Sequence, residues 1–179
     1  MNLPNKLTLF RICLVPILVL ITYIDFPEKY LVALILFILA SVTDFLDGHL
    51  ARSRNLVTDF GKFMDPLADK ILVIATLICL IEAGLVPGWG VTIIIARELA
   101  VSILRAIAAS NGTVIAAGKS GKLKTITQMF AIIFLLLGAY VDHYIVLMIG
   151  SILFYISVVL TIYSGYEYLW ANKSVFSDM

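Results

Sequence analysis

Turn-forming sequences cut the chain into six apolar stretches, each close to the roughly 20 residues that a helix needs to cross the hydrocarbon core of a bilayer. The stretches run at about Leu7 to Ile24, Tyr30 to Arg52, Met64 to Ile81, Trp89 to Ser110, Leu123 to Tyr140 and Tyr144 to Trp170. Between them lie Asp25-Phe26-Pro27, Gly84 to Gly88, Asn111-Gly112, Gly118 to Gly121 and Asp142-His143. With 61% of its 179 residues hydrophobic and 14% charged, the chain is excluded from the soluble globular class. The expected architecture is an all-α integral membrane protein of six transmembrane helices, a single domain over residues 1–179 without linker or internal repeat. The first apolar run, Ile12 to Ile24, lacks a small-x-small cleavage site and leads straight into a second span, so it is expected to be retained. Cys13 and Cys79 both lie inside apolar runs and read as packing residues, not a disulfide or metal pair.

Lys and Arg stay on the cytoplasmic side of a membrane protein. Of the thirteen here, all but Lys29 fall on the side that holds both termini and the second-to-third and fourth-to-fifth connections. Both termini are therefore expected in the cytoplasm, Arg97 being the member of that group that lies well inside a span. The near-neutral formal charge of +1 offers no concentrated basic surface for nucleic acid. Trp89, Trp170, Tyr140 and Tyr144 read as interfacial anchors, and Pro16 as a kink in the first helix.

The sequence TDFLDGHLAR, Thr43 to Arg52, ends the second apolar stretch with acid, and Asp65 and Asp69 begin the third. An antiparallel pair of helices brings all four carboxylates to one depth. Asp44, Asp47, Gly48 and Ala51 share one helical face; Gly61, Asp65 and Asp69, spaced by four, share another if the helix reaches back to Gly61. Four carboxylates this close cannot all stay ionised without a counter-charge. Oxygen donors without Cys or His suit a hard divalent ion, Mg²⁺ or Mn²⁺, and four can hold two ions. The plain alternative is a set of acidic helix ends paired with Lys62, Lys70, Arg52 and Arg54. A divalent-cation channel or transporter would use the same cluster, but would not need the room that Gly and Ala leave on the acidic faces.

The pattern Asp44-x-x-Asp47-Gly48-x-x-Ala51-Arg52, eight residues, then Gly61-x-x-x-Asp65-x-x-x-Asp69 resembles the complete signature of the CDP-alcohol phosphotransferases. That resemblance implies six transmembrane helices, a homodimer, and transfer of a phosphoalcohol unit from a CDP-linked donor to a second alcohol with release of CMP. It implies that Asp44, Asp47 and Asp65 are metal ligands, with Asp69 completing a second metal site and serving as candidate base. Gly48, Ala51 and Gly61 would admit the nucleotide, Arg52 would meet a phosphate or an aspartate, and Asn5 and Thr8 would contact the nucleotide from a short interfacial opening segment or else cap the first helix.

Outside the signature, Asn2 to Arg11, Phe60 to Lys70, Arg97-Glu98, Arg105 and Gly121 to Gln128 resemble the bacterial phosphatidylglycerophosphate synthases within that family. The resemblance implies CDP-diacylglycerol and sn-glycerol 3-phosphate as substrates at the cytoplasmic face of a bacterial inner membrane. A phosphate-bearing acceptor needs fixed cations. Arg97, Val101 and Arg105 recur every four residues on one helical face, with Lys122 and Lys124 as point charges at the mouth and Lys62 nearby. Each has a second reading: Arg97 paired with Glu98 or an aspartate, Lys122 and Lys124 as ordinary positive-inside residues, Lys62 as an interfacial snorkeler. Another acceptor, such as inositol phosphate, serine or phosphatidylglycerol, would keep the aspartates and change these cations. His49 occupies a variable signature position and His143 a loop, so neither is assigned to catalysis.

Overall fold

The computed structural model describes residues 3–53, 59–110, 115 and 118–172, with side chains at 3–5, 44–53, 59–63, 65, 66 and 110 outside the description. The described residues form six helices and no strand: α1 Leu3–Tyr23, α2 Lys29–Ser53, α3 Asp59–Glu82, α4 Gly88–Ser110, α5 Lys119–Val141 and α6 Tyr144–Ala171. Every expected stretch is a helix. α1 begins at Leu3, so the opening residues continue the first helix and are not a separate segment before Leu7. Pro4 is compatible with this, because a first-turn residue has no intrahelical partner for an N–H. Asn5 and Thr8 thus lie within the helix and not at its cap. α3 reaches back past Gly61, as the spacing of its acidic face requires.

By length and composition α1 (from Lys6), α5 and α6 can each cross a membrane. α2 is apolar over Lys29–Thr43 before its acidic end, whereas α3 and α4 carry charges, of which Asp69, Lys70, Arg97, Glu98 and Arg105 line the cavity described below. The outward faces are greasy, as at Leu20, Val159 and Ile162. Trp89, Tyr140, Tyr144 and Trp170 are all exposed, as anchors must be. The core is built around Phe37, Leu77, Ile94, Leu135 and Phe154. Cys13 is exposed and Cys79 buried, and both are free thiols.

The tightest helix pair is α5 with α6. A Cβ on Gly150 would lie 2.9 Å from the Leu135 backbone nitrogen, and one on Gly138 would lie 2.8 Å from that of Leu147, so these glycines let the two backbones close. The two-residue connection turns at Asp142 in the left-handed region (φ 49), whose N–H donates to the Gly138 carbonyl. Gly84 (φ +70) ends α3 the same way, the Gly84 and Leu85 N–H groups donating back to Ile81 and Leu80 at 2.9 Å each. Ser157, Thr161 and Ser164 are buried on α6 and satisfy their hydroxyls on carbonyls of their own helix.

Candidate functional site: a charged cavity at one end of the bundle

A cavity of about 700 Å³ opens where the amino-terminal half of α3, the carboxy-terminal half of α4, the start of α5 and the end of α6 meet. It is within the usual size range of a small-ligand site. Asp69, the last aspartate of the signature, lines it together with Lys70, Arg97, Arg105 and Lys122. The period-four face of α4 is confirmed, since Arg97, Val101 and Arg105 all reach the cavity. Asp44, Asp47 and Asp65 stand on α2 and α3, but their side chains lie outside the described residues, as do those of Asn5, Gly48, Ala51, Arg52, Gly61 and Lys62. Thr8 is fully buried on α1. Among the described residues no group of three or more His, Cys, Asp or Glu gathers, and Asp69 is the only signature aspartate in that set.

Glu98 organises the cations. Its Oε1 accepts from Arg97 Nη1 at 2.9 Å and from Lys124 Nζ at 2.6 Å, and Lys70 Nζ lies 3.9 Å from Oε2. The Lys70 ammonium also donates to the Ser102 hydroxyl, which in turn donates to the Glu98 carbonyl at 2.6 Å. Three helices thus bring three positive charges to one carboxylate, an excess that among the described residues Asp69, on the same cavity wall, offsets in part. Such a cluster is costly in a low-dielectric interior unless an anion joins it. The pairing of Arg97 with Glu98 matches the second of the two readings above. It leaves Nε of Arg97 buried without a hydrogen-bond partner among the described residues.

Lys124 departs from its expected place. Its side chain is 3% exposed and bound to Glu98, so it supports the cavity from behind instead of standing at the mouth. The reason is helical register: Lys124 shares the buried face of α5 with Gln128, Ala131 and Leu135, whereas Lys122 falls on the open side and lines the cavity. Arg97 is held in a narrow slot. A Cβ on Gly121 would stand 3.3 Å from its Nη2, and one on Gly165 would stand 3.1 Å from its Cγ.

The sequence reading missed what α6 contributes. Tyr168 Oη accepts from Arg105 Nε at 3.0 Å, with the guanidinium carbon 5.4 Å from the ring centroid. Glu167 accepts from Ser120 at the rim, joining α6 to the start of α5. A signal was present: Ser157, Thr161, Ser164, Gly165 and Tyr168 repeat at helical spacing along one face of an otherwise greasy helix.

The sequence model of the CDP-alcohol phosphatidyltransferase family matches residues 1–163. A Bacillus subtilis protein named CDP-diacylglycerol--glycerol-3-phosphate 3-phosphatidyltransferase is 44% identical over 183 residues, covering 96% of this chain and 95% of that protein. Proteins of the same name from Rickettsia bellii and Salmonella choleraesuis are 43% and 38% identical, each covering at least 97% of both chains. With a complete aspartate signature and a family match over most of its length, the chain belongs to the CDP-alcohol phosphatidyltransferase family.

Proposed function

We propose that this protein transfers the phosphatidyl group of CDP-diacylglycerol to sn-glycerol 3-phosphate, giving phosphatidylglycerol phosphate and CMP in phospholipid biosynthesis. The observation that carries the reading is that Asp69 and the cations Arg97, Arg105 and Lys122 line one cavity, so the signature and the acceptor-phosphate residues address the same space. Relatives of nearly full-length similarity carry the corresponding name.

In the reaction, a glycerol hydroxyl attacks the phosphorus that bears the diacylglycerol. The new phosphodiester bond forms as the diphosphate P–O bond breaks, and CMP leaves with the electron pair. Asp69 takes the hydroxyl proton, provided the acceptor sits within hydrogen-bond reach of its carboxylate. Arg97, Arg105 and Lys122, with Lys124 behind them and Lys62 added on the resemblance alone, hold the phosphate of the acceptor and so orient its far hydroxyl. Asp44, Asp47, Asp65 and Asp69 fit two divalent cations, Mg²⁺ or Mn²⁺, because their donors are all hard oxygens; the chemistry such ions supply is neutralisation of charge on the diphosphate. Asn5, Thr8, Gly48, Ala51, Arg52 and Gly61 make up the nucleotide side of the site, on the family resemblance.

All six helices cross the inner membrane in this reading, both termini are cytoplasmic, and the acyl chains of the donor stay in the lipid. The charge distribution supports the orientation, since the cavity cations and Lys29 stand at opposite ends of the bundle. A homodimer is the assembly that the resemblance supports.

Purified protein in detergent with CDP-diacylglycerol and Mg²⁺ should release CMP only when glycerol 3-phosphate is supplied, and chelation of divalent ions should stop it. Release with inositol phosphate, serine or phosphatidylglycerol instead would keep the family and replace the acceptor. No release with any of them, together with metal flux in proteoliposomes, would support a cation transporter.

A further inference from the structure

Arg97 and Arg105 project from one face of α4 into one cavity, but they are held by different means. Arg97 is 14% exposed and spends one terminal nitrogen on Glu98. Arg105 is exposed, and among the described residues it makes no ion pair. Its described contacts are with Tyr168, through the Nε hydrogen bond of 3.0 Å and the ring at 5.4 Å. Tyr168 is itself fixed, 7% exposed and packed against Val101, Leu104 and Ile115.

This arrangement has a chemical consequence. A free arginine pays side-chain entropy when it grips a ligand. An arginine tethered at Nε has already lost most of that freedom, and its two terminal nitrogens remain as a planar fork suited to two phosphate oxygens. We propose that Tyr168 is a positioning residue of the acceptor site, holding Arg105 so that its terminal fork grips the phosphate of the acceptor alongside Arg97, which Glu98 holds in place. The proposal rests on the reading of glycerol 3-phosphate as acceptor. It assigns part of acceptor selection to a residue beyond the stretch matched by the family model, which ends at 163.

The experiment is steady-state CMP release by the full-length protein in detergent, with each substrate varied in turn. Tyr168→Phe keeps the buried ring and its contact with the guanidinium and removes only the hydroxyl. It should raise KM for glycerol 3-phosphate about tenfold, as expected for loss of a hydrogen bond to a charged group, and leave KM for CDP-diacylglycerol unchanged. In an Arg105→Ala background the same substitution should add nothing, because a tether without its arginine has no role. A Tyr168→Phe variant that matches the parent, one that raises both KM values equally, or one whose effect persists in full without Arg105, would overturn the proposal. A parent protein that releases no CMP with glycerol 3-phosphate would overturn the proposed function and this inference with it, whereas an active parent with an indifferent variant overturns the inference alone.

Discussion

The ammonium of Lys124 on α5 lies 2.6 Å from Oε1 of Glu98 on α4, with the lysine side chain 3% and the glutamate 15% exposed. A contact this buried is expensive to break from one side, because the surviving charge has no water to return to.

Glu98→Gln keeps the shape of the side chain and removes the charge that three cations share. The variant should lose about 3–5 kcal/mol of stability, read as a lower thermal midpoint in detergent. Adding Lys124→Met should recover part of the loss, since it removes one of the stranded charges. A single variant as stable as the parent would show that the cluster is not held by this carboxylate.

Asp69→Asn should reduce CMP release by at least about a hundredfold, the lower bound for removing a positioned general base. Mn²⁺ binding, followed separately by spectroscopy, bears on its two roles. Binding retained with activity lost favours the base role, whereas loss of both does not separate base from ligand. Activity near that of the parent would remove Asp69 from the chemistry.

Gly150→Ala places a methyl group 2.9 Å from the Leu135 backbone nitrogen, where no side-chain rotation can relieve it. A cost of roughly 1–3 kcal/mol is expected from overpacking. Gly88→Ala is the matched control, because its nearest neighbour would be 3.9 Å away, and it should leave the thermal midpoint unchanged. Equal midpoints for the two variants would contradict the close approach of α5 and α6.

Orientation is checked with single cysteines in a background lacking Cys13 and Cys79. A membrane-impermeant thiol reagent should label Lys29→Cys on intact cells and reach Lys122→Cys only after permeabilisation. The reverse pattern would invert the topology.

The helices were legible in the sequence because each is a long apolar run closed by turn residues, and the charged face of α4 because Arg97, Val101 and Arg105 keep a period of four. The place of Lys124 was not legible. A lysine near a helix start reads as a mouth residue, and only the packing of α5 against its neighbours shows that position 124 faces inward while 122 faces out. Tyr168 escaped for a related reason. A tyrosine near the end of a greasy helix resembles an interfacial anchor, and its distinction from exposed Tyr166 depends on what α4 places opposite it. Glu98 was visible only as a neighbour of Arg97, because a hub joining α3, α4 and α5 has no local spacing to betray it.

The slot around Arg97 sets a size limit written on two helices, and the two halves of that limit obey different rules. Gly121 is constrained by Nη2, an atom that lysine lacks, whereas Gly165 is constrained by Cγ, which lysine shares. In a combinatorial library, alanine at 121 should therefore become less costly once position 97 is lysine, and alanine at 165 should keep its cost. The two glycines record separately the head and the stem of one side chain.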